Sequence, residues 1–188
     1  METKKPLLVV FAGPNGSGKS TITDTFGNLK GYTNADEVVK NTDLTNKEAA
    51  EYVIGKRYSA IDKKEDFSFE TVLSSDYNMN VIRKAHDEGY FIKCIFVLTA
   101  DPELNVLRIK ARVEQGGHDV PADKIRDRYK KSLKNIKELI KICDIMHIYD
   151  NTGERPWRIF RKHKEEPFKV FPNEYWNADS ILNLIADM

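Results

Sequence analysis

The sequence predicts an α/β fold, with a parallel sheet flanked by helices on both faces. Two observations lead to this class. The apolar segment Leu7–Ala12 is rich in β-forming residues and runs directly into a glycine-rich loop, after which a helix can start. Further along, apolar segments of strand length alternate with longer segments of helical pattern as far as residue 150. This alternation is typical of parallel sheets, because parallel neighbours need a long crossover between them.

The glycine-rich loop carries the most specific motif in the chain. Residues 13–20 read GPNGSGKS and fit the phosphate-binding (Walker A) pattern G-x-x-x-x-G-K-[ST] of P-loop proteins. A chance fit in a chain of this length is roughly a 1% event at average glycine usage. In this motif Lys19 reaches the β- and γ-phosphates of ATP, and the hydroxyl of Ser20 coordinates Mg²⁺. The predicted nucleotide-binding residues are Gly13, Asn15, Gly16, Ser17, Gly18, Lys19, Ser20 and Thr21.

Local patterns predict the other elements of the sheet and its helices. Strands are expected at residues 7–12, 32–35, 67–73, 91–98 and 145–149. Helices are expected at residues 20–26, 45–62, 75–86, 102–115, 122–142 and 174–188. The run at residues 91–98 is the longest apolar one, which predicts a buried central strand.

Several helix ends carry capping signals. Thr45 followed by Glu48 three residues later predicts a capping box. Asp101 suits an N-cap, with Pro102 at the first helical position. The pair at residues 116–117, Gly-Gly, is expected to end that helix.

The C-terminal part follows a weaker pattern. Residues 157–161 and 168–171 are expected to form a hairpin before the last helix, as an extension over about residues 154–188. We see no internal repeat, linker or low-complexity tract, so residues 1–188 are predicted to form a single domain.

Acidic residues fall at the carboxyl ends of predicted strands, where parallel sheets bind ligands. Asp36 follows the second strand and is a candidate for the base that deprotonates an acceptor hydroxyl, although it also suits the N-cap of a helix. Glu70 lies within an apolar strand, where an unpaired carboxylate is unfavourable. Together with Thr71 it is a candidate for the Mg²⁺ shell or for acceptor binding; the alternative is a structural partner such as an arginine.

Residues 108–128 have the pattern of a mobile helical lid. Gly-Gly ends one helix and Pro121 starts the next. Guanidinium groups suit the charge on a transferring phosphoryl group. One or two of four arginines are expected to reach the phosphates: Arg108, Arg112, Arg126 and Arg128. Between the helices, His118 either contacts phosphate or acceptor, or stabilises the turn.

Composition narrows the partners and the compartment. The chain has 30 Lys and Arg against 29 Asp and Glu, a net charge of +1, which argues against a broad nucleic-acid-binding surface. Cys94 and Cys143 are expected to be buried reduced thiols, so a cytoplasmic location is predicted. We find no signal-peptide pattern, no apolar run of membrane-spanning length and no zinc-ligand spacing.

Five segments together resemble the zeta-toxin-like P-loop kinases. They are GPNGSGKS at 13–20, NADE at 34–37, FSFETVLS at 67–74, RVEQGGHDVP at 112–121 and RYKKSLKN at 128–135. The resemblance covers about residues 7–151. It implies a kinase-like P-loop NTPase fold with a helical lid, ATP or GTP with Mg²⁺, and an antitoxin protein as a partner. In the toxin branch of the family, the acceptor is a UDP-activated amino sugar.

The resemblance also implies roles for single residues. Asp36 matches the catalytic base, Glu70 the acidic residue after the third strand, and Arg112 one lid arginine. His118 stands where the toxins have a second lid arginine, so Arg126 or Arg128 is expected to supply that charge. The predicted catalytic residues are Lys19, Asp36, Arg112, His118 and Arg128.

The leading hypothesis is an ATP-dependent kinase that transfers the γ-phosphate to a hydroxyl of a small-molecule acceptor. A nucleotide-binding switch with little turnover is the first alternative, although an Asn-Lys-x-Asp guanine signature is not visible. A nucleic-acid end kinase is the second, and the near-zero net charge argues against it.

Overall fold

The computed structural model describes residues 4–27, 29–117, 119–164 and 166–186. Within these ranges the strands are β1 Leu7–Ala12, β2 Tyr32–Thr33, β3 Phe67–Thr71, β4 Phe91–Leu98, β5 Ile145–Asp150, β6 Trp157–His163 and β7 Lys169–Val170. The helices are α1 Lys19–Thr23, α2 Ala35–Asn41, α3 Asn46–Asp62, α4 Asp76–Asp87, α5 Pro102–Glu114, α6 Ala122–Lys134, α7 Ile136–Ile142 and α8 Ala178–Ile185. A 3₁₀ turn, Asp24–Phe26, follows α1.

One sheet organises the described part of the chain, in the strand order β2-β3-β1-β4-β5-β6-β7. The strands β1, β2, β3, β4 and β5 run parallel to one another. In the middle of the sheet, Val10 of β1 pairs with Phe69 on one side and Cys94 on the other, and all three side chains are fully buried. The predicted central position of residues 91–98 is confirmed, because β4 lies between β1 and β5.

The C-terminal hairpin joins this sheet, so the sheet is mixed rather than wholly parallel. β6 pairs antiparallel with β5, and β7 pairs antiparallel with β6. Only residues 151–156 connect β5 to β6. A connection this short cannot carry a crossover helix, so the chain can only turn back and pair antiparallel.

Helices cover the two faces of the sheet unequally. Alternate residues of a strand point to opposite faces of the sheet. In β1, Leu8, Val10 and Ala12 point to one face, and Val9 and Phe11 point to the other. The first set belongs to the main core, together with buried residues of α3, α4, α7 and α8. The second set belongs to a smaller cluster that contains Ile22 of α1, Ile95 and Val97. The prediction of an α/β sheet with helices on both faces is confirmed.

Two helix predictions are wrong in detail. The helix expected over residues 122–142 is two helices, α6 and α7, which meet at Asn135. The side chain of Asn135 donates a hydrogen bond to the backbone oxygen of Leu73, and this contact holds the junction against the loop after β3. The last helix begins at Ala178, not at residue 174, because the side chain of Asn177 accepts a hydrogen bond from the N–H of Ser180 and caps it there.

The two cysteines are free and buried, as predicted. Cys94 of β4 lies within hydrogen-bonding distance of Cys143, and this contact and burial raise the pKa of the Cys94 thiol. Among the described residues, we find no helix long and apolar enough to cross a membrane.

We expect the N-terminal cap of α3 to be a measurable source of stability. The hydroxyl of Thr45 accepts a hydrogen bond from the N–H of Glu48, and the Glu48 carboxylate accepts one from the N–H of Thr45. Thr45→Ala should lower the free energy of unfolding by about 1 kcal/mol, measured by urea denaturation. Thr45→Ser keeps the hydroxyl and should stay close to wild type. Equal stability of the two variants would show that the cap contributes nothing.

Candidate active site

A cavity of about 770 Å³ opens at the carboxyl ends of β1, β2 and β3. It is bounded by the P-loop, by α3 and by the paired helices α5 and α6. The cavity brings together most of the residues that the sequence singled out. Those that line it are Asn15, Gly16, Gly18, Lys19, Ser20, Thr21, Asp36, Glu70, Thr71, Arg108, Arg112 and Arg128. Gly13, Ser17 and Arg126 are not part of its lining, and His118 lies outside the described residues.

The shape of the P-loop depends on three glycines that touch other backbone or side-chain atoms. A Cβ at Gly13 would lie 1.9 Å from the backbone oxygen of Val97 in β4. A Cβ at Gly16 would lie 2.7 Å from the backbone oxygen of Asn105, and a Cβ at Gly18 2.2 Å from Nδ2 of Asn151. All three glycines also have positive φ. A side chain is therefore disfavoured both by the lack of space and by the backbone conformation.

Asn151, the residue after β5, holds the P-loop through a side-chain hydrogen bond. Its side-chain amide donates a hydrogen bond to the backbone oxygen of Ser17 at 2.8 Å. In the sequence, the signal for this role is that Asn151 is a polar residue two positions after the strand predicted at residues 145–149. The side chain of Ser17 is itself buried, and its hydroxyl has no hydrogen-bond partner among the described residues.

Lys19 is a buried cation at the floor of the cavity. Its side chain is almost fully buried, and its ammonium group donates a hydrogen bond to the backbone oxygen of Pro14 at 3.0 Å. Burial lowers the pKa of Lys19; Glu70 and Asp36 raise it in part, and Arg112 lowers it further. The charged form of this ammonium is therefore under-solvated, and an anion beside it would be stabilised.

Glu70 faces the start of α1 from β3. The hydroxyl of Ser20 donates a hydrogen bond to its Oε1 at 3.1 Å, and the hydroxyl of Thr23 lies 3.1 Å from its Oε2. These two hydroxyls are hydrogen-bond partners of Glu70. The role of Glu70 in a Mg²⁺ shell or in acceptor binding stays a prediction, as does the structural alternative.

Ser20 and Glu70 together suit a magnesium ion. Hydroxyl and carboxylate oxygens are hard ligands, and Mg²⁺ is usually held by one or two protein groups together with water and phosphate oxygens. Among the described residues, no group of three or more His, Cys, Asp or Glu side chains forms a complete metal cage. A site completed by nucleotide phosphates fits this donor set better than an all-protein site.

Asp36 lies in the first turn of α2 and not at its cap. The cap is Asn34, whose side-chain oxygen accepts a hydrogen bond from the N–H of Asp36 at 3.0 Å. The N-cap alternative for Asp36 is therefore wrong. Its carboxylate is exposed and lines the same cavity as Lys19.

The arginines of α5 and α6 divide into two groups. Arg112 and Arg128 line the cavity, and Arg128 donates a long hydrogen bond (3.4 Å) to the side-chain oxygen of Asn15 in the P-loop. Arg126 instead forms a two-pronged ion pair with Glu103 on α5, at 2.5 and 2.8 Å. Arg108 also lines the cavity, and it donates to the backbone oxygen of Thr152.

Of the two candidates for the second arginine, the geometry favours Arg128. A lid movement of this region stays a prediction.

Comparison with known proteins decides the family. The family model "Zeta toxin" matches residues 28–162, which is more than half of the chain. The chain belongs to the zeta toxin family. A relative, an uncharacterized protein of Haemophilus influenzae, is 28% identical over 127 residues, which cover 64% of this chain and 91% of that protein.

Solved structures agree with the family assignment at the level of the fold. A structure from the PezAT chromosomal toxin–antitoxin system of Streptococcus pneumoniae covers 80% of this chain and 69% of its own, with 20% identity and a TM-score of 0.57. The AvrRxo1-ORF1–ORF2 complex covers 98% of this chain and 72% of its own, with 15% identity and a TM-score of 0.71. A structure of that complex with ATP covers 88% and 60%, with 15% identity and a TM-score of 0.67. The predicted kinase-like P-loop fold is confirmed.

We expect Lys19 to lower stability in the absence of nucleotide while being needed to bind it. Lys19→Met replaces a buried ammonium with an apolar side chain of similar length, so the free energy of unfolding without nucleotide should rise by about 1 kcal/mol. Binding of a fluorescent ATP analogue should be lost. Lys130→Met, at an exposed position on α6, should change neither quantity. A large loss of stability in Lys19→Met would contradict this account of its burial.

Proposed function

We propose that this chain is an ATP-dependent phosphotransferase that moves the γ-phosphate of ATP to a hydroxyl of a small acceptor. The observation that carries the proposal is that the P-loop, with Lys19, and the carboxylate of Asp36 line one cavity. Phosphoryl transfer needs a phosphate cradle, charge neutralisation and a group that accepts the proton of the nucleophile. Membership of the zeta toxin family supports the same reaction class.

The reaction assigns one role to each part of the cavity. The P-loop N–H groups and Lys19 bind the phosphates of ATP, and the acceptor hydroxyl lies beside Asp36. The hydroxyl oxygen forms a bond to the γ-phosphorus, the bond from that phosphorus to the β–γ bridging oxygen breaks, and Asp36 takes the hydroxyl proton. ADP and a phosphorylated acceptor leave. Arg112 and Arg128 neutralise charge on the transferring group.

Mg²⁺ belongs to this proposal through Ser20 and Glu70. The hydroxyl oxygen of Ser20 would hold the ion, and Glu70 would orient that hydroxyl through its hydrogen bond. When bound, the ion would neutralise phosphate charge.

The acceptor half of the cavity has a mixed polar and apolar wall. Its apolar residues come from α3 and the loop after β3, and its polar residues from the N-cap of α2, from α3, from that loop and from α4. These residues are Ala50, Val53, Ile54, Leu73, Asn34, Glu51, Ser74, Ser75 and Asn78. Amides, hydroxyls and a carboxylate suit an acceptor rich in hydroxyl groups. Within the family resemblance, a UDP-activated amino sugar is the acceptor we propose to test first.

A protein partner is also proposed. Two of the similar structures come from a toxin–antitoxin system and from a two-component complex. By analogy, an antitoxin protein would control this chain. A cytoplasmic location stays a prediction.

The reaction is tested by acceptor-dependent transfer. Wild type with ATP·Mg²⁺ should release ADP and add one phosphate, seen by mass spectrometry, to one member of a panel of UDP-activated amino sugars, nucleosides and free sugars. Asp36→Asn should keep binding of an ATP analogue and lower kcat by about 100-fold or more, because the proton acceptor is lost. Acceptor-independent hydrolysis that Asp36→Asn leaves unchanged would overturn the kinase proposal.

Toxicity is a separate consequence with its own test. Induced expression of wild type should slow growth of a bacterial host, because turnover by the kinase would deplete an essential acceptor. Lys19→Ala and Asp36→Ala, expressed to the same level, should restore growth. Equal growth of all three cultures would remove the toxin function and leave the kinase reaction open to the transfer assay.

A further inference from the structure

Arg57 is a buried cation that the sequence patterns do not reveal. It lies in α3 and only 2% of its surface is exposed, yet it is one of the residues that line the cavity. Among the described residues, no carboxylate lies within ion-pair distance of it. Burial lowers the pKa of the guanidinium, and the neighbouring Tyr32 raises it in part. A buried charge without a counter-ion is unfavourable for folding, so its presence calls for a compensating function.

One side of the guanidinium holds the end of β2. Nε donates a hydrogen bond to Oγ1 of Thr33 at 2.9 Å, and Nη2 donates to the backbone oxygen of the same residue at 3.2 Å. The next residue is Asn34, whose side chain caps α2 by accepting from the N–H of Asp36. Two intervening residues, Thr33 at the strand end and Asn34 at the helix cap, therefore link Arg57 to the proposed base.

The other side of the guanidinium holds the end of β3. Nη1 donates a hydrogen bond to Oδ1 of Asn78 at 2.5 Å. Nδ2 of Asn78 donates to Oγ1 of Thr71 at 2.9 Å, and the same oxygen accepts from the N–H of Leu73 at 3.0 Å. Thr71 directly follows Glu70, which binds the hydroxyl of Ser20.

An aromatic ring fixes the plane of the group between these two strand ends. The guanidinium carbon lies 4.1 Å from the ring centre of Phe69, which is fully buried in β3. Phe69 pairs in register with Thr33, so ring and hydrogen-bond acceptors belong to neighbouring strands. A planar fork stacked on a ring can hold two separate acceptors in one orientation, whereas a lysine ammonium cannot.

We propose that Arg57 is a positioning residue that holds the start of α2, which carries Asp36, against the end of β3, which carries Glu70 and Thr71. It sets the separation of the proposed base and the proposed metal-side carboxylate, and through them the alignment of acceptor and γ-phosphate. This inference rests on the proposed phosphotransferase function. Misalignment by about 1 Å can lower a rate by roughly 100-fold.

The test compares Arg57→Gln with Arg83→Gln. Arg83 joins α4 to α7 through Glu138 at 2.5 and 2.7 Å and donates to Asn80, so this control also removes an arginine with three hydrogen bonds, but it does not line the cavity. We measure kcat and KM for ATP with UDP-activated amino sugars as acceptors, affinity for a fluorescent ATP analogue, and amide hydrogen exchange. Arg57→Lys is measured in parallel.

We expect kcat of Arg57→Gln to fall by about 100-fold. KM for ATP and affinity for the analogue should stay within about threefold of wild type, because the P-loop is held by other contacts. Amide exchange should rise in residues 32–37 and 70–78 and stay unchanged in the P-loop. Arg57→Lys should recover only part of kcat, and Arg83→Gln should keep wild-type kcat.

Two results would overturn the proposal. One is wild-type kcat in Arg57→Gln; the other is an equal loss of kcat in Arg57→Gln and Arg83→Gln. If wild type transfers phosphate to no acceptor, the proposed function fails and hydrogen exchange alone decides about Arg57. In that case, unchanged exchange in residues 32–37 and 70–78 overturns the inference, and raised exchange confined to both segments supports the link between the start of α2 and the end of β3.

Discussion

The close contact of the P-loop glycines with β4, with α5 and with the residue after β5 is the constraint on which the site depends. Gly13 lies against the end of β4, Gly16 against α5 and Gly18 against the residue that follows β5. Because each contact leaves no room for a Cβ, the loop can take its shape only with glycine at these points. That shape buries Lys19 and directs α1 at the cavity. The loop is thus specified as much by its surroundings as by its own residues.

A second feature of the cavity is that two buried cations, Lys19 and Arg57, form no ion pair with a carboxylate among the described residues. Lys19 is bonded to a backbone oxygen, and Arg57 is bonded to a hydroxyl, a backbone oxygen and an amide. These two cations have different consequences. The ammonium has one hydrogen-bond acceptor and could pair with a bound anion, whereas the guanidinium already donates three hydrogen bonds to groups at two strand ends. In the proposed reaction, Lys19 would therefore bind phosphate and Arg57 would align the two strand ends.

The described structure also sorts arginines that look alike in the sequence. Arg126 and Arg128 are two positions apart on α6, so they point to different sides of the helix. One pairs with Glu103 and the other reaches the P-loop. Which of the two arginines faces the cavity follows from how α6 packs on α5 through Val106, Ile109 and Ile125. In the proposed reaction, that arginine would neutralise charge on the phosphates.

The sequence by itself determined several features that depend on neighbours along the chain. The P-loop, the bounds of β1 and β4, the capping box at Thr45 and the cap at Asp101 all follow from residues a few positions apart. The tertiary structure alone decided contacts between residues far apart in the chain. Arg57 reaches acceptors 24 and 21 positions away, and β6 turns back to pair antiparallel with β5. The physical reason is that periodicity and caps report local hydrogen bonds and one buried face, whereas the partner of a single buried side chain is set by how strands and helices pack together.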